Sequence, residues 1–309
     1  MRYDQVLPDL QQYLQPMPKK SKLGFDEIFM VNLERRPDRY DRMAYNFDML
    51  GIDYQWVPAM DGRTIDEEFL AREGIKMLPE FSEPYHGRAL TYGEIGCFLS
   101  HYRLWQQIVE EKLDRVLIFE DDIKFEPFFI SKLEYLKSEL FEKVGESWDL
   151  VFLGRKILHN SEEPWVEGSD QLVHVDYTYW TLSYVLTLRG AKLLLAGDPL
   201  GKMVPVDEYL PIMYGRHPNS TWSASFPGEK LRALSVHPLL VFPTHYTGEQ
   251  GYFSDTEDAS VISDSVTGTE SRKELDGDTS RSRGLAGVSS NLGATPATCE
   301  GMADCRDEL

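Results

Sequence analysis

Long apolar runs are missing from this 309-residue sequence. No stretch approaches the roughly 20 residues that a membrane-spanning helix needs, so nothing in it is expected to anchor in a bilayer. Cations are scarce too: 32 Lys and Arg face 51 Asp and Glu, for a formal charge of −19 and a pI near 4.8. That balance excludes a nucleic-acid or anionic-membrane surface, since both need clustered Lys and Arg. Three cysteines are too few for a disulfide scaffold. Cys97 falls in a helical pattern and reads as a small buried hydrophobe, whereas Cys299 and Cys305 are close enough to pair in an oxidising compartment or to stay free. A glycine-rich phosphate loop and an internal repeat are both absent, which excludes a dinucleotide fingerprint and a solenoid.

A signal peptide is also missing, because no apolar segment follows Met1-Arg-Tyr-Asp. The last four residues, Arg306-Asp-Glu-Leu309, nevertheless resemble the retrieval signal of the endoplasmic reticulum lumen, and Asn219-Ser220-Thr221 is an N-glycosylation acceptor. A lumenal chain is therefore expected, either the C-terminal part of something longer or an isoform without its entry signal.

Length allows one sizeable core and a tail. Residues 1–25, rich in proline, read as a linker or lead-in. From 26 to 252 strand and helix patterns alternate. Glu27 to Leu33 reads as a strand, Pro37 opens a helix that ends before Gly51, and Asp53 to Val57 reads as the next strand. The stripe Ile95, Phe98, Leu99, Tyr102, Trp105, Val109 predicts a buried helix from Thr91. Pro127 opens another helix, and Trp148 to Leu153 predicts a strand ended by Gly154. Later strands cover Leu172 to Val175, Tyr179 to Leu188 and parts of Leu231 to Phe242, an α/β pattern throughout. Residues 253–309 fill with Ser, Asp, Glu, Thr and Gly and are expected to be a disordered acidic tail.

The chemistry gathers at Arg115-Val-Leu-Ile-Phe-Glu-Asp-Asp122, an apolar strand that ends in three carboxylates. The C-terminal ends of strands are where open α/β sheets bind ligands. Were strand geometry to persist, Glu120 and Asp122 would share one side and Asp121 would point the other way. Two carboxylates facing one cleft suit a hard cation such as Mg²⁺ or Mn²⁺ completed by water and phosphate. The bland alternative is a solvated helix start, where Asp and Glu need no metal. Ser100 and His101 adjoin in a helix and point about 100° apart, so they do not read as a nucleophile and its base.

Five blocks in order carry a resemblance: Phe29-Met-Val-Asn-Leu-Glu-Arg-Arg-Pro-Asp-Arg39, Gly93-Glu-Ile-Gly-Cys-Phe-Leu-Ser-His101, Leu117-Ile-Phe-Glu-Asp-Asp122, Pro205-Val-Asp-Glu208 and Thr244-His-Tyr-Thr-Gly248. Together they resemble glycosyltransferase family 25, which includes bacterial lipopolysaccharide galactosyltransferases and animal procollagen galactosyltransferases. The resemblance implies a GT-A-like nucleotide-sugar-binding fold with a central mixed, mostly parallel sheet. It implies transfer of galactose from UDP-galactose to the hydroxylysine of collagen, inverting and Mn²⁺-dependent. It also implies an upstream glycosyltransferase-like domain, and it leaves a homodimer open. A catalytically inactive homologue acting in cell adhesion or assembly is the rival expectation.

On this resemblance Asp122 is the leading metal ligand and Glu120 follows it or contacts ribose, with Glu in the first place of the usual Asp-x-Asp triplet, and His245 supplies a third ligand or only a structural hydrogen bond. Asn32, Arg35, Arg36 and Arg39 would meet uracil, ribose or phosphate, or else form a solvated basic helix start. Asp207 or Glu208 would be the base that accepts the acceptor proton, with a helix-start charge as the alternative. Asp176, Tyr179, Trp180 and Tyr184 read as a sugar-facing wall or as core.

Overall fold

The computed structural model describes residues 17–145, 147–158, 163–246, 254–257 and 262, all within the unit that spans Met1–Thr269. The first apolar run forms strand β1 (Glu27–Asn32), followed by helix α1 (Pro37–Leu50), strand β2 (Gln55–Pro58), helix α2 (Glu67–Glu73) and helix α3 (Tyr92–Glu111). Pro37 sits in the first turn of α1, where its missing N–H costs nothing, and Gly51 closes the helix in the left-handed conformation at φ 68°. A reciprocal capping box between Thr91 and Glu94 starts α3. Strand β3 (Arg115–Glu120) then leads into the short β4 (Ile123–Phe125), helix α4 (Phe129–Ser138) and strand β5 (Leu150–Ile157).

The remaining elements are β6 (Leu172–His174), β7 (Thr178–Thr187), α5 (Leu188–Ala196), α6 (Val206–Met213), α7 (Ser220–Ala224), β8 (Ala233–Val236) and β9 (Val241–Pro243). Seven strands form one sheet in the order β2-β1-β3-β7-β5-β8-β6, and β4 pairs with β9 apart from it. β2, β1, β3, β5 and β8 point one way, while β7 and β6 oppose them. Five of seven strands thus share a direction, the mixed, mostly parallel sheet of an α/β fold that the resemblance implied.

Strand alternation divides the interior in two. Val116 and Ile118 join Phe98, Leu104 and Trp105 of α3 on one face, whereas Leu117 and Phe119 join Met43 and Phe47 of α1 and Leu133 of α4 on the other. These four apolar β3 side chains are completely buried, each contributing roughly 1.5–3 kcal/mol by leaving water. With helices on both faces, the carboxylates after Phe119 are held between α3 and α1.

Local readings differ from the structure at three places. The strand predicted to end at Gly154 continues to Ile157. Glycine is needed there for close approach, since an added Cβ would lie 2.5 Å from the Val241 carbonyl oxygen. The helix expected from Pro127 starts at Phe129, because Phe128 takes a left-handed conformation at φ 63°. Ser254–Glu257 and Ile262 fall in the stretch expected to be disordered, yet Ile262 is 5% exposed in the core and its N–H bonds the Leu90 carbonyl at 3.0 Å. The remainder of that stretch, with Cys299, Cys305 and the C-terminal tetrapeptide, lies outside the described residues.

Candidate active site

The strand ends at Glu120 and the chain bends at once. Glu120 continues the alternation toward α3, where its carboxylate meets the His101 Nε2 at 3.2 Å and the Thr181 hydroxyl. Asp121 and Asp122 both turn to Arg39 of α1, whose Nη1 is 3.0 Å from one and 3.3 Å from the other. The expected pairing of Glu120 with Asp122 on one side, away from Asp121, is therefore replaced. The bend brings all three carboxylates to line one cavity of about 140 Å³.

His101 is held from behind. Trp105 Nε1–H can only donate and lies 3.3 Å from the Tyr184 oxygen, which leaves the phenolic proton for His101 Nδ1 at 2.8 Å. Nε2–H is then the donor to Glu120. Burial opposes the Glu120 charge, but the bonds from His101 and Thr181 and the charge of Arg39 outweigh it and hold this carboxyl below the usual range. Asp121 goes the other way: burial pushes it up despite Arg39 and the Asn32 amide, which donates at 2.6 Å. Burial likewise works against the Arg39 charge, and Asp122 and Asp121 reverse that effect, so Arg39 stays cationic.

Around the same cavity stand Asn32 and Arg35. Arg35, Arg36 and Arg39 converge on Asp255, with Nη1 of Arg35 and of Arg36 each 2.6 Å from its carboxylate and Nη2 of Arg39 at 3.2 Å. Trp56 Nε1–H donates to the Asn32 side-chain oxygen at 3.3 Å, leaving an indole 38% exposed beside the basic helix start.

A second cavity of about 530 Å³ adjoins the first and shares Cys97, Ser254 and Thr256 with it. Tyr179, Trp180, Lys156, Asp207 and Glu208 are among its lining residues. The Glu208 carboxylate is 3% exposed and fully engaged by Tyr177 at 2.8 Å, Tyr179 at 2.7 Å and His217 Nε2 at 2.8 Å. Burial and the Glu208 charge keep both phenols protonated, as donors must be. Asp207 is half-buried and accepts the backbone N–H of Trp180, a residue in the left-handed region at φ 67°. Desolvation and the nearby Glu120 charge push the Asp207 carboxyl up to about 7.

The structure thus gathers Asn32, Arg35, Arg39, Glu120 and Asp122 at one cavity, and Asp207 and Glu208 at the next. His245 is exposed and lines neither; it follows Thr244, whose N–H and hydroxyl bond the Asp122 carbonyl at 2.7 and 2.8 Å, so it stands beside the triplet. Of the aromatic wall, Tyr179 and Trp180 line the larger cavity, whereas Tyr184 is core behind His101 and Asp176 lines neither cavity. Sequence reasoning missed the His101–Glu120 contact, Asp255, and Arg42, whose Nη2 donates to the Asp121 carbonyl. Arg42 was within reach of it, since Arg39 and Arg42 are three apart on one helix face.

The donor set fits a hard divalent cation, because three carboxylates line one cavity and oxygen is the ligand such ions prefer. Among the described residues, Cys97, His101 and Glu120 also bring possible ligand atoms within 4.8 Å of one another. Burial pushes the Cys97 thiol up, keeping it a protonated, poor ligand, and His101 is committed through both nitrogens. Oxygen ligands from the acidic triplet are the better donors.

Residues 25–210 match the family described as glycosyltransferase family 25 (LPS biosynthesis protein). The chain is 49% identical over 257 residues to a glycosyltransferase 25 family member of Drosophila melanogaster, covering 83% of this chain and 42% of that protein. It is 50% identical over 255 residues to procollagen galactosyltransferase 1-B of Xenopus laevis, covering 81% and 41%. It is 47% identical over 267 residues to the probable inactive glycosyltransferase 25 family member 3 of Rattus norvegicus, covering 85% and 46%. The chain therefore spans less than half the length of these relatives. A solved glycosyltransferase involved in the glycosylation of the major capsid of PBCV-1 is similar with a TM-score of 0.35 and 9% identity, over 75% of this chain and 95% of that one.

Proposed function

Because the chain belongs to glycosyltransferase family 25, we propose that it transfers galactose from UDP-galactose to the hydroxylysine of collagen, with inversion at the sugar. One observation carries this reading: a cavity of carboxylates and arginines, suited to a diphosphate and its cation, shares a wall with a cavity that holds a carboxyl poised near neutrality. Donor and acceptor would then meet across Cys97 and Ser254–Thr256.

Asp122 and Glu120 would hold Mn²⁺, with His245 the candidate third ligand, and the ion would neutralise charge on the departing diphosphate. Arg35, Arg36 and Arg39 would bind the phosphates, since guanidinium forks match phosphate oxygens two at a time. Asn32 would serve the nucleoside side, a reading supported by the Trp56 indole that its side-chain oxygen holds. Asp207 is the base: it takes the proton from the attacking hydroxyl, and its pKa near 7 matches a base that works at neutral pH. Glu208 is a positioning residue, because its oxygens already serve Tyr177, Tyr179 and His217. The Arg-Asp-Glu-Leu terminus supports action in the endoplasmic reticulum lumen. No described helix is long and apolar enough to cross a membrane.

The rival reading, an inactive homologue acting in adhesion or assembly, is favoured by the 47% identity to a relative named as probably inactive. The full acidic triplet, the three arginines and the perturbed Asp207 favour the enzyme. Calorimetric titration of UDP with and without Mn²⁺ separates them at the donor site: binding that needs the metal supports the transferase, and binding that ignores it removes the metal role.

A further inference from the structure

Resting on the donor reading above, we propose that Ser254–Glu257 is a strap that seats Asp255 in the anion site of the donor diphosphate and has to leave before a nucleotide sugar enters. Three guanidinium groups meet on this one carboxylate, at 2.6, 2.6 and 3.2 Å. That is the arrangement a phosphate would take, and the same donors cannot serve both anions at once.

The strap is seated as well as paired. Thr91, the N-cap of α3, donates its hydroxyl to the Thr256 carbonyl at 2.6 Å. At Gly93 an added Cβ would lie 2.6 Å from that same carbonyl oxygen and 2.9 Å from the one of Asp255, so the strap rests directly on the helix backbone where only glycine leaves room. Volume gives an independent reason for displacement. With the strap in place the acidic cavity measures about 140 Å³, below the roughly 300–1,000 Å³ of pockets that hold drug-sized ligands. Ser254 and Thr256 also wall off the cavity of about 530 Å³ that contains Asp207. Lifting the strap releases the Nη groups that Arg35, Arg36 and Arg39 spend on Asp255, while their pairs with Asp61, Asp38, Asp121 and Asp122 keep the three side chains in place, and it joins the two spaces in one movement. Departure of the strap thereby opens the path between the donor site and Asp207.

Apparent affinity is the intrinsic affinity reduced by the fraction of molecules whose strap is off. UDP and inorganic pyrophosphate are the probes, titrated with Mn²⁺ present into the full chain as wild type, Asp255→Asn and Gly93→Ala. The first variant removes the charge, and the second pushes the strap backbone off its seat while leaving the Asp255 carboxylate chemically intact. Both probes are expected to bind about tenfold or more tightly in both variants. Unchanged or weaker binding of both probes in variants that melt cooperatively overturns the strap. Should Asp255→Asn fail to fold, Gly93→Ala decides by the same criterion. UDP that binds wild type and variants alike leaves the donor reading standing and removes the strap. Pyrophosphate that tightens, with UDP no tighter than pyrophosphate, keeps the strap as an anion gate and removes the nucleotide. No binding of either probe to any form overturns both.

Discussion

Replacing Asp207 by Asn keeps the size of the side chain and an oxygen for the Trp180 N–H, but removes a carboxyl that burial and Glu120 push up to about 7. Two consequences follow with opposite signs. A positioned general base is worth roughly 10²–10⁴ in rate, so kcat should fall by about that factor, or roughly 3–5 kcal/mol, with metal-dependent UDP affinity unchanged. The wild-type kcat/KM should rise about tenfold per pH unit up to about 7 and then level off, and the variant should lack that limb. Stability moves the other way. An unfolded Asp ionises near 4, so the folded protein is at no disadvantage below pH 4, loses stability as pH rises from about 4 to about 7, and carries the full cost above that. Three units correspond to about 4 kcal/mol, an upper bound because the side chain is half-buried rather than sealed. Asp207→Asn should therefore melt higher than wild type at pH 8 and nearly alike at pH 4. Single-turnover transfer and thermal melts across pH 4–8 are the assays. Near-normal turnover, or a variant less stable than wild type at pH 8, would refute the assignment.

Asp122→Asn should weaken Mn²⁺ and UDP together in calorimetry, since a neutral amide is a poor ligand for a hard cation; loss of turnover with both affinities intact would contradict its role as ligand. Glu208→Gln should raise the acceptor KM and cost roughly 1.5–3 kcal/mol in urea unfolding, because three donors lose a charged acceptor, while UDP affinity stays the same. Gly154→Ala should destabilise by roughly 1–3 kcal/mol, as its Cβ meets the Val241 carbonyl at 2.5 Å; an unchanged urea midpoint would show that β5 and β9 can part freely.

What local periodicity encodes was legible beforehand. β1, α1, β2 and α3 lie where apolar spacing, Pro37, Gly51 and the Thr91 cap put them, and the acidic triplet stands at the end of β3 as the strand composition implied. Pairings between distant segments were not. Arg35 and Asp255 are 220 residues apart, and no pattern along the chain says that one closes on the other. The His101–Glu120 contact depends on α3 packing against the face of β3 that carries Val116, Ile118 and Glu120, which only the folded sheet establishes. Gly154 looked like a strand end because glycine interrupts β patterns, whereas its cause is a neighbouring backbone supplied from Val241. The proposed choice of Asp207 over Glu208 was equally hidden, since it turns on Tyr177, Tyr179 and His217 taking up the Glu208 carboxylate.

The most direct measurement is transfer itself. The chain, alone and joined to an N-terminal half from one of its longer relatives, would be incubated with UDP-galactose, Mn²⁺ and a hydroxylysine-containing collagen peptide, and the peptide read by mass spectrometry. A hexose on hydroxylysine that disappears in Asp207→Asn is the predicted result; an unmodified peptide with both folded forms would contradict the proposed transferase.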